Sequence, residues 1–265
     1  MTQAKKTAAE PLLSVRGLRV DIASKRILRS VDFDVAAGEL VVLMGANGSG
    51  KSTLALALAG HPRYEVAGTA HLDGQDLLAL PVEARSRAGL FLSFQAPPDI
   101  PGVKNNLFIR TALNAQRASR GEAEIDAFDF LGQAKGGAKR LGLPETMLGR
   151  PVNEGFSGGE RKRNELLQLS LFKPRVALLD EIDSGLDVDG VRALVELIAA
   201  MRSEGTAFVV VSHYLHLIEM LEPTRVLRLH EGCIAESGDL ELARSITSQG
   251  FAASAAASAA ATVGA

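Results

Sequence analysis

Between Gly45 and Ser52 the chain reads Gly-Ala-Asn-Gly-Ser-Gly-Lys-Ser, the pattern GxxxxGK followed by Ser or Thr. Residues this small let a backbone wrap closely around phosphate oxygens, with successive N–H groups pointing inward. An apolar run, Leu40 to Met44, precedes the loop, and a helical pattern follows it. The helix adds its unpaired N-terminal donors and the positive end of its dipole. Gly45, Ala46, Asn47, Gly48, Ser49 and Gly50 are therefore expected to cradle phosphate. Lys51 is expected to reach the β- and γ-phosphates of a nucleotide. Ser52 is expected to ligate Mg²⁺, a hard cation that prefers oxygen, and Thr53 to bond the α-phosphate. A second piece is Asp180-Glu181, directly after the apolar run Val176 to Leu179. An aspartate at the C-terminal edge of a strand can hold Mg²⁺, directly or through water. Glu181, beside apolar residues and near phosphates, stands where a base or water-positioning group is useful.

These residues need a frame. Leu40 to Met44, Val176 to Leu179 and Ala207 to Val211 are short and almost wholly apolar, as suits central strands of a sheet covered on both faces. Helical patterns such as Val191 to Arg202 lie between them, so the core is expected to be a parallel α/β sheet. Leu13 to Val20, Ile27 to Val35 and Val66 to Leu72 alternate or carry turn signals and are expected to form an antiparallel sheet. From about Gln95 to Leu171 strand signals nearly vanish. That stretch reads as a helical insertion, with one helix over Asn106 to Arg120 and another beginning near Gly158. Residues 1–11 read as a disordered arm. The Ala/Ser segment 251–265 reads as a frayed tail, with a loose helix as the alternative.

With 265 residues and 46% apolar content, the chain can form one large domain or two lobes sharing a core. No apolar stretch reaches the ~18 to 20 residues that span a bilayer, and the N-terminus has no apolar segment behind its lysines. The expected protein is soluble, cytoplasmic and not inserted in a membrane. A net charge of −2 gives no sign of nucleic-acid binding. The single cysteine, Cys233, cannot form an internal disulfide and belongs to no metal-ligand cluster. The mixed charges from Glu160 to Glu165 read as a solvated helix face.

The stretch Phe156-Ser-Gly-Gly-Glu160 resembles the signature motif of the ATP-binding-cassette ATPases, and it precedes Asp180-Glu181 as that family requires. The resemblance spans about residues 12 to 240. It implies an α/β P-loop fold with a mostly parallel core sheet, an N-terminal antiparallel β subdomain and a helical subdomain. The cassette would occupy residues 12–250, with a nucleotide-binding lobe at 12–95 and 172–250 and a helical lobe at 96–171. It also implies ATP and Mg²⁺ as ligands, and an ATP-dependent pair of cassettes in which Ser157, Gly158 and Gly159 face the γ-phosphate on the other copy. Gln95 resembles the glutamine that touches Mg²⁺ and the lytic water. Ser184 to Asp187 resembles the loop linking the two sites, and His213 the histidine at the γ-phosphate. One departure is the absence of an aromatic residue from Val20 to Ile27, where cassettes stack adenine; the nearest match is Ile22.

Within the family, several details resemble the SufC group, the ATPases of the SUF iron–sulfur assembly machinery. Gln95 runs into Ala-Pro-Pro-Asp-Ile-Pro-Gly-Val103, followed by Thr111-Ala-Leu-Asn114 and Phe128-Asp-Phe130. The signature continues to Arg-Lys-Arg-Asn164, the acidic pair continues Ile-Asp-Ser-Gly-Leu-Asp187, and His213 is followed by Tyr214. That resemblance implies SufB and SufD scaffold proteins as partners. The alternative is the nucleotide-binding subunit of a transporter, whose membrane part would be a separate chain.

Overall fold

The computed structural model describes residues 10–250. The expected arm, apart from Glu10 and Pro11, and the expected Ala/Ser tail lie outside the described residues. In chain order the elements are β1 (Leu13–Ile22), β2 (Lys25–Val35), β3 (Leu40–Met44), α1 (Lys51–Ala59), β4 (Glu65–Leu72), β5 (Gln75–Asp76), α2 (Val82–Arg87), β6 (Leu90–Ser93) and β7 (Ile100–Lys104). Then come α3 (Asn105–Ser119), α4 (Ala127–Arg140), a 3-10 turn (Glu145–Gly149), β8 (Pro151–Val152), α5 (Gly158–Phe172), β9 (Val176–Asp180) and α6 (Val188–Ser203). The chain continues through β10 (Ala207–Val211), α7 (Leu215–Leu221), β11 (Arg225–His230) and β12 (Cys233–Gly238).

Ten strands form one sheet in the order β5-β4-β1-β2-β12-β11-β3-β10-β9-β6. Strands β11, β3, β10, β9 and β6 are mutually parallel, while β5, β4, β1 and β2 run antiparallel to one another. The all-apolar strands behave as expected of a sheet covered on both sides. Leu40, Val42 and Met44 of β3 pack with Leu166, Leu194 and Ile198 on the helical face. Val41 and Leu43 point the other way, toward Leu54 and Leu58 of α1 and the antiparallel strands. Period-two alternation thus divides one strand between two cores.

Parallel register brings the strand ends to one rim. Val211 of β10 pairs with Asp180 of β9, Ser93 of β6 with Leu179, and Val211 with Leu43 of β3. The phosphate loop, Gln95, Asp180-Glu181 and His213 all follow these strands, so one sheet edge carries them.

Two expectations need correction. The segment 95–171 is not free of strands: β7 and β8 form a small antiparallel sheet. Its signal is weak because Pro101, Gly102 and Pro151 interrupt it. The run Glu160 to Glu165 is not a solvated face either. Lys162, Asn164 and Glu165 are buried, because α5 passes between the sheet and the other helices.

Candidate nucleotide site

The loop between β3 and α1 closes on itself. Gly48 and Gly50 have φ of 78° and 110°, left-handed values that glycine adopts without strain. A Cβ on Gly45 would stand 2.4 Å from the Leu229 carbonyl oxygen. Gly50 caps α1 with no side-chain hydrogen bond, so the first N–H groups of the helix stay available to an anion. The Lys51 side chain is almost fully buried, and its Nζ donates to the carbonyls of Gly45 at 2.7 Å and Ala46 at 3.1 Å. Burial lowers its pKa, while Glu181 and Asp180 oppose that shift.

Beside it, Asp180 is buried and its Oδ1 has no hydrogen-bond partner. Burial raises its pKa, and a hydrogen bond from Ser52 pulls the other way. An orphaned carboxylate oxygen next to a hydroxyl is a set of hard oxygen donors. It fits Mg²⁺, which takes one or two protein oxygens and completes its shell with phosphate and water. Among the described residues no group of three or more His, Cys, Asp or Glu could hold a metal, which does not conflict with so sparse a donor set.

Glu181 has φ of 49°, an uncommon conformation for a residue with a Cβ. Its backbone N–H donates to the carbonyl of Val211 at 3.1 Å. The turn swings the carboxylate out of the strand line, between two partners. Gln95 Nε2 donates to Oε2 at 2.9 Å, and His213 Nε2 lies 3.3 Å from Oε1. An open cleft of about 580 Å³ is lined by Asn47, Gly48, Gly50, Lys51, Ser52, Thr53, Gln95 and Glu181. Lys25 and Ile27 complete its wall, and Ile22 does not line it. The β-strand wall is thus aliphatic and cationic, and the sequence reading missed both residues. They follow the tight turn at Ala23-Ser24, across which Ile22 pairs with Lys25.

The signature residues stand elsewhere. Ser157 caps α5 in a reciprocal box: Glu160 N–H donates to its Oγ at 3.3 Å, and its own N–H donates to Glu160 Oε2 at 2.7 Å. Ser157 and Gly158 are exposed, and neither they nor Gly159 line the cleft. A Cβ on Gly159 would come within 2.9 Å of the Gly185 carbonyl, so this helix start rests on the loop before α6. Asp187 caps α6 through the Gly190 N–H at 2.8 Å and pairs with Arg163 at 2.5 Å. It too lies outside the cleft.

Sequence reasoning also missed a buried ion pair. Glu165 accepts from the Phe94 N–H at 2.9 Å and the Ser93 hydroxyl at 3.3 Å, and Lys162 donates to the Phe94 carbonyl at 2.7 Å. The available signal was position: residues 162, 165, 166 and 169 share one stripe of α5, and Leu166 and Leu169 are core. Burial pushes the Glu165 carboxyl up to about 7. A carboxyl raised in the folded state favours folding below the unfolded value near 4.5, and that advantage is lost as pH rises to about 7. Relative to Glu165→Gln, the parent should therefore lose stability across that window, by roughly 2–3 kcal/mol. Urea unfolding of both proteins between pH 4.5 and 8 measures it; parallel curves would contradict it.

The phosphate loop, the buried carboxylate and the glutamine at one sheet edge define a P-loop ATPase of the cassette type. Comparison with known proteins agrees. The family model for ABC transporters matches residues 28–184. A probable ATP-dependent transporter SufC of Escherichia coli is 44% identical over 241 residues, which cover 91% of this chain and 97% of that protein. The iron–sulfur cluster assembly protein SufC of Plasmodium falciparum is 44% identical over 91% of this chain and 70% of its own length. Among solved structures, an ATP-binding subunit of an ABC transporter superposes with a TM-score of 0.75 at 24% identity, covering 91% of this chain and 94% of that one. A dimeric bacterial ABC transporter cassette gives 0.73 at 19%, covering 86% and 98%. The chain belongs to the SufC group of the ATP-binding-cassette family.

Proposed function

We propose that the chain is an ATP-driven motor for a SufB–SufD-type scaffold in iron–sulfur cluster assembly, working as a pair of copies that closes on two ATP molecules. The observation that carries this reading is the division of the machinery. Lys51, Ser52, Gln95 and Glu181 line one cleft, whereas Ser157, Gly158 and Asp187 lie outside it with an exposed helix start. A second copy would supply that helix start to the γ-phosphate.

In this reading Gly45 to Thr53 hold the phosphates, and Ser52, Asp180 and Gln95 hold Mg²⁺. Bound Mg²⁺ neutralises charge on the phosphate oxygens. Glu181 takes a proton from the attacking water while Gln95 and His213 fix its two carboxylate oxygens. The water oxygen bonds to the γ-phosphorus as the bond to the bridging oxygen breaks, leaving ADP and phosphate. Hydrolysis reopens the pair, and closure does work only on a partner that binds the two forms differently. Turnover by isolated copies should be slow.

The partner surface is proposed along Gln95 to Leu113. Leu107 is exposed there and lines, with Leu131, a groove between α3 and α4; Phe94, directly before Gln95, is exposed as well. No helix among the described residues is long and apolar enough to cross a membrane. The iron–sulfur role follows the name of the Plasmodium relative. The Escherichia coli relative's name favours a second reading, a transporter motor. Tagged Glu181→Gln protein with ATP and Mg²⁺, captured from soluble and membrane fractions, separates the two. Recovery of SufB- and SufD-type proteins is expected; recovery of an integral membrane protein would overturn the assembly reading.

A further inference from the structure

We propose that Glu165 and Lys162 are positioning residues for Gln95, holding the two peptide groups that flank the Phe94 Cα and fixing the Gln95 loop to the signature helix. The proposal rests on reading Gln95 as a group that fixes the Glu181 carboxylate beside the lytic water.

The grip is complete at the level of hydrogen bonds. Glu165 Oε1 takes the Phe94 N–H at 2.9 Å, and Lys162 Nζ gives to the Phe94 carbonyl at 2.7 Å. The two side chains are 3.6 Å apart and only 6% and 4% exposed. Burying two opposite charges is costly, and an apolar pair of similar size is often as stable or more so. A pair that holds both the N–H and the carbonyl of Phe94, with the Ser93 hydroxyl as a further contact, therefore specifies where that stretch of backbone sits. Gln95 is the next residue, and its Nε2 reaches Glu181 at 2.9 Å.

The same helix holds the far side of the loop. Arg161 pairs with Asp99 at 2.9 Å. Asn164 donates to Asn153 at 3.0 Å, and Asn153 donates to the Pro98 carbonyl at 2.9 Å. Asn164 also exchanges hydrogen bonds with Asn105 at the start of α3, and all three asparagines are buried. Gln95 is thus suspended between anchors at Phe94 and at Pro98-Asp99, all leading back to residues 161–165. The helix that begins at Ser157 carries every one of them. A shift of Gln95 on its loop and a shift of the Ser157 helix start are therefore one motion. Misplacement of a positioning group by about 1 Å is enough to cost rate.

A double-mutant cycle tests this. Glu165→Met removes the acceptor for the Phe94 N–H. It is expected to lower kcat about tenfold, about 1.4 kcal/mol, with nucleotide affinity changed less than twofold. In a Gln95→Ala background the same substitution should lower the residual kcat by less than twofold, because the group it positions is already gone. Glu165→Gln, which keeps an acceptor oxygen, should restore at least half of the parent rate. Equal proportional losses in both backgrounds, or an unchanged rate for Glu165→Met, would overturn the proposal. A Gln95→Ala protein as active as its parent would instead overturn the role of Gln95 itself. If Glu165→Met does not fold, Lys162→Met goes through the same cycle with the same expected and contrary results.

Discussion

Replacing Glu181 with glutamine should lower ATP turnover on the order of 10³-fold while leaving nucleotide binding and folding close to the parent. The substitution keeps the shape of the side chain and its half-buried, left-handed position at φ 49°. It removes the ability to take a proton from water, an ability worth about 10²–10⁴ in rate. The amide still offers an oxygen to Gln95, whose Nε2 now sits 2.9 Å away. The phosphate contacts proposed for Lys51 and the loop would be untouched, so the loss belongs in kcat and not in affinity. Steady-state phosphate release together with a nucleotide-binding titration separates the two. A fully active Glu181→Gln protein would remove Glu181 from the role of base and leave it a structural residue between Gln95 and His213.

The second large effect is expected at Lys51. Its ammonium is enclosed by the loop, 2.7 Å from one carbonyl and 3.1 Å from another. A guanidinium is planar and broader, and cannot replace a compact point charge in that space. Lys51→Arg should lower kcat/KM for ATP by about 100-fold or more, about 3 kcal/mol of transition-state stabilisation. The fold should survive. Helix α1 is held by Leu54 and Leu58 in the core, and its C-terminal carbonyls at Ala57 and Leu58 accept from Arg85 at 3.0 and 2.8 Å. Thermal unfolding together with turnover checks both halves, and a normal rate in a folded protein would contradict the role given to Lys51.

Much of this site was legible in the sequence because its parts are local. The phosphate loop is eight consecutive residues whose glycines meet backbone constraints visible in the chain itself. Asp180 and Glu181 were legible from their place after an all-apolar strand, and parallel register then carries that place to the same rim as the loop. What was not legible depends on partners far away in sequence. Lys162 and Glu165 read as solvated because charged residues usually are, and nothing local says that α5 is enclosed on nearly every side. Their partner in burial is the backbone of Phe94, about 70 residues earlier, whose N–H and carbonyl bond Glu165 and Lys162 at separations of 71 and 68 positions. The small β7–β8 sheet was missed for a similar reason. Strands broken by proline and glycine show no alternation, and their pairing closes around α3 and α4, about 50 residues apart in sequence. Lys25 and Ile27 on the cleft wall lie on β2, beyond the two-residue turn after Ile22, whereas the sequence pointed to Ile22 on β1.

The proposed function requires that each nucleotide site be completed by a second copy. Mixing two inactive variants tests it most directly. Lys51→Arg has a damaged cleft and an intact signature helix; Ser157→Arg has an intact cleft and a blocked helix start. Each alone should be nearly inactive. Mixed in equal amounts, half of the pairs would be mixed pairs with one intact site of two, so turnover should recover toward roughly a quarter of the parent's, by simple counting of pairs under symmetric association. Recovery at that level would show that cleft and signature are supplied by different copies. A Ser157→Arg protein that hydrolyses ATP at the parent rate, or a mixture with no recovery, would contradict the shared site.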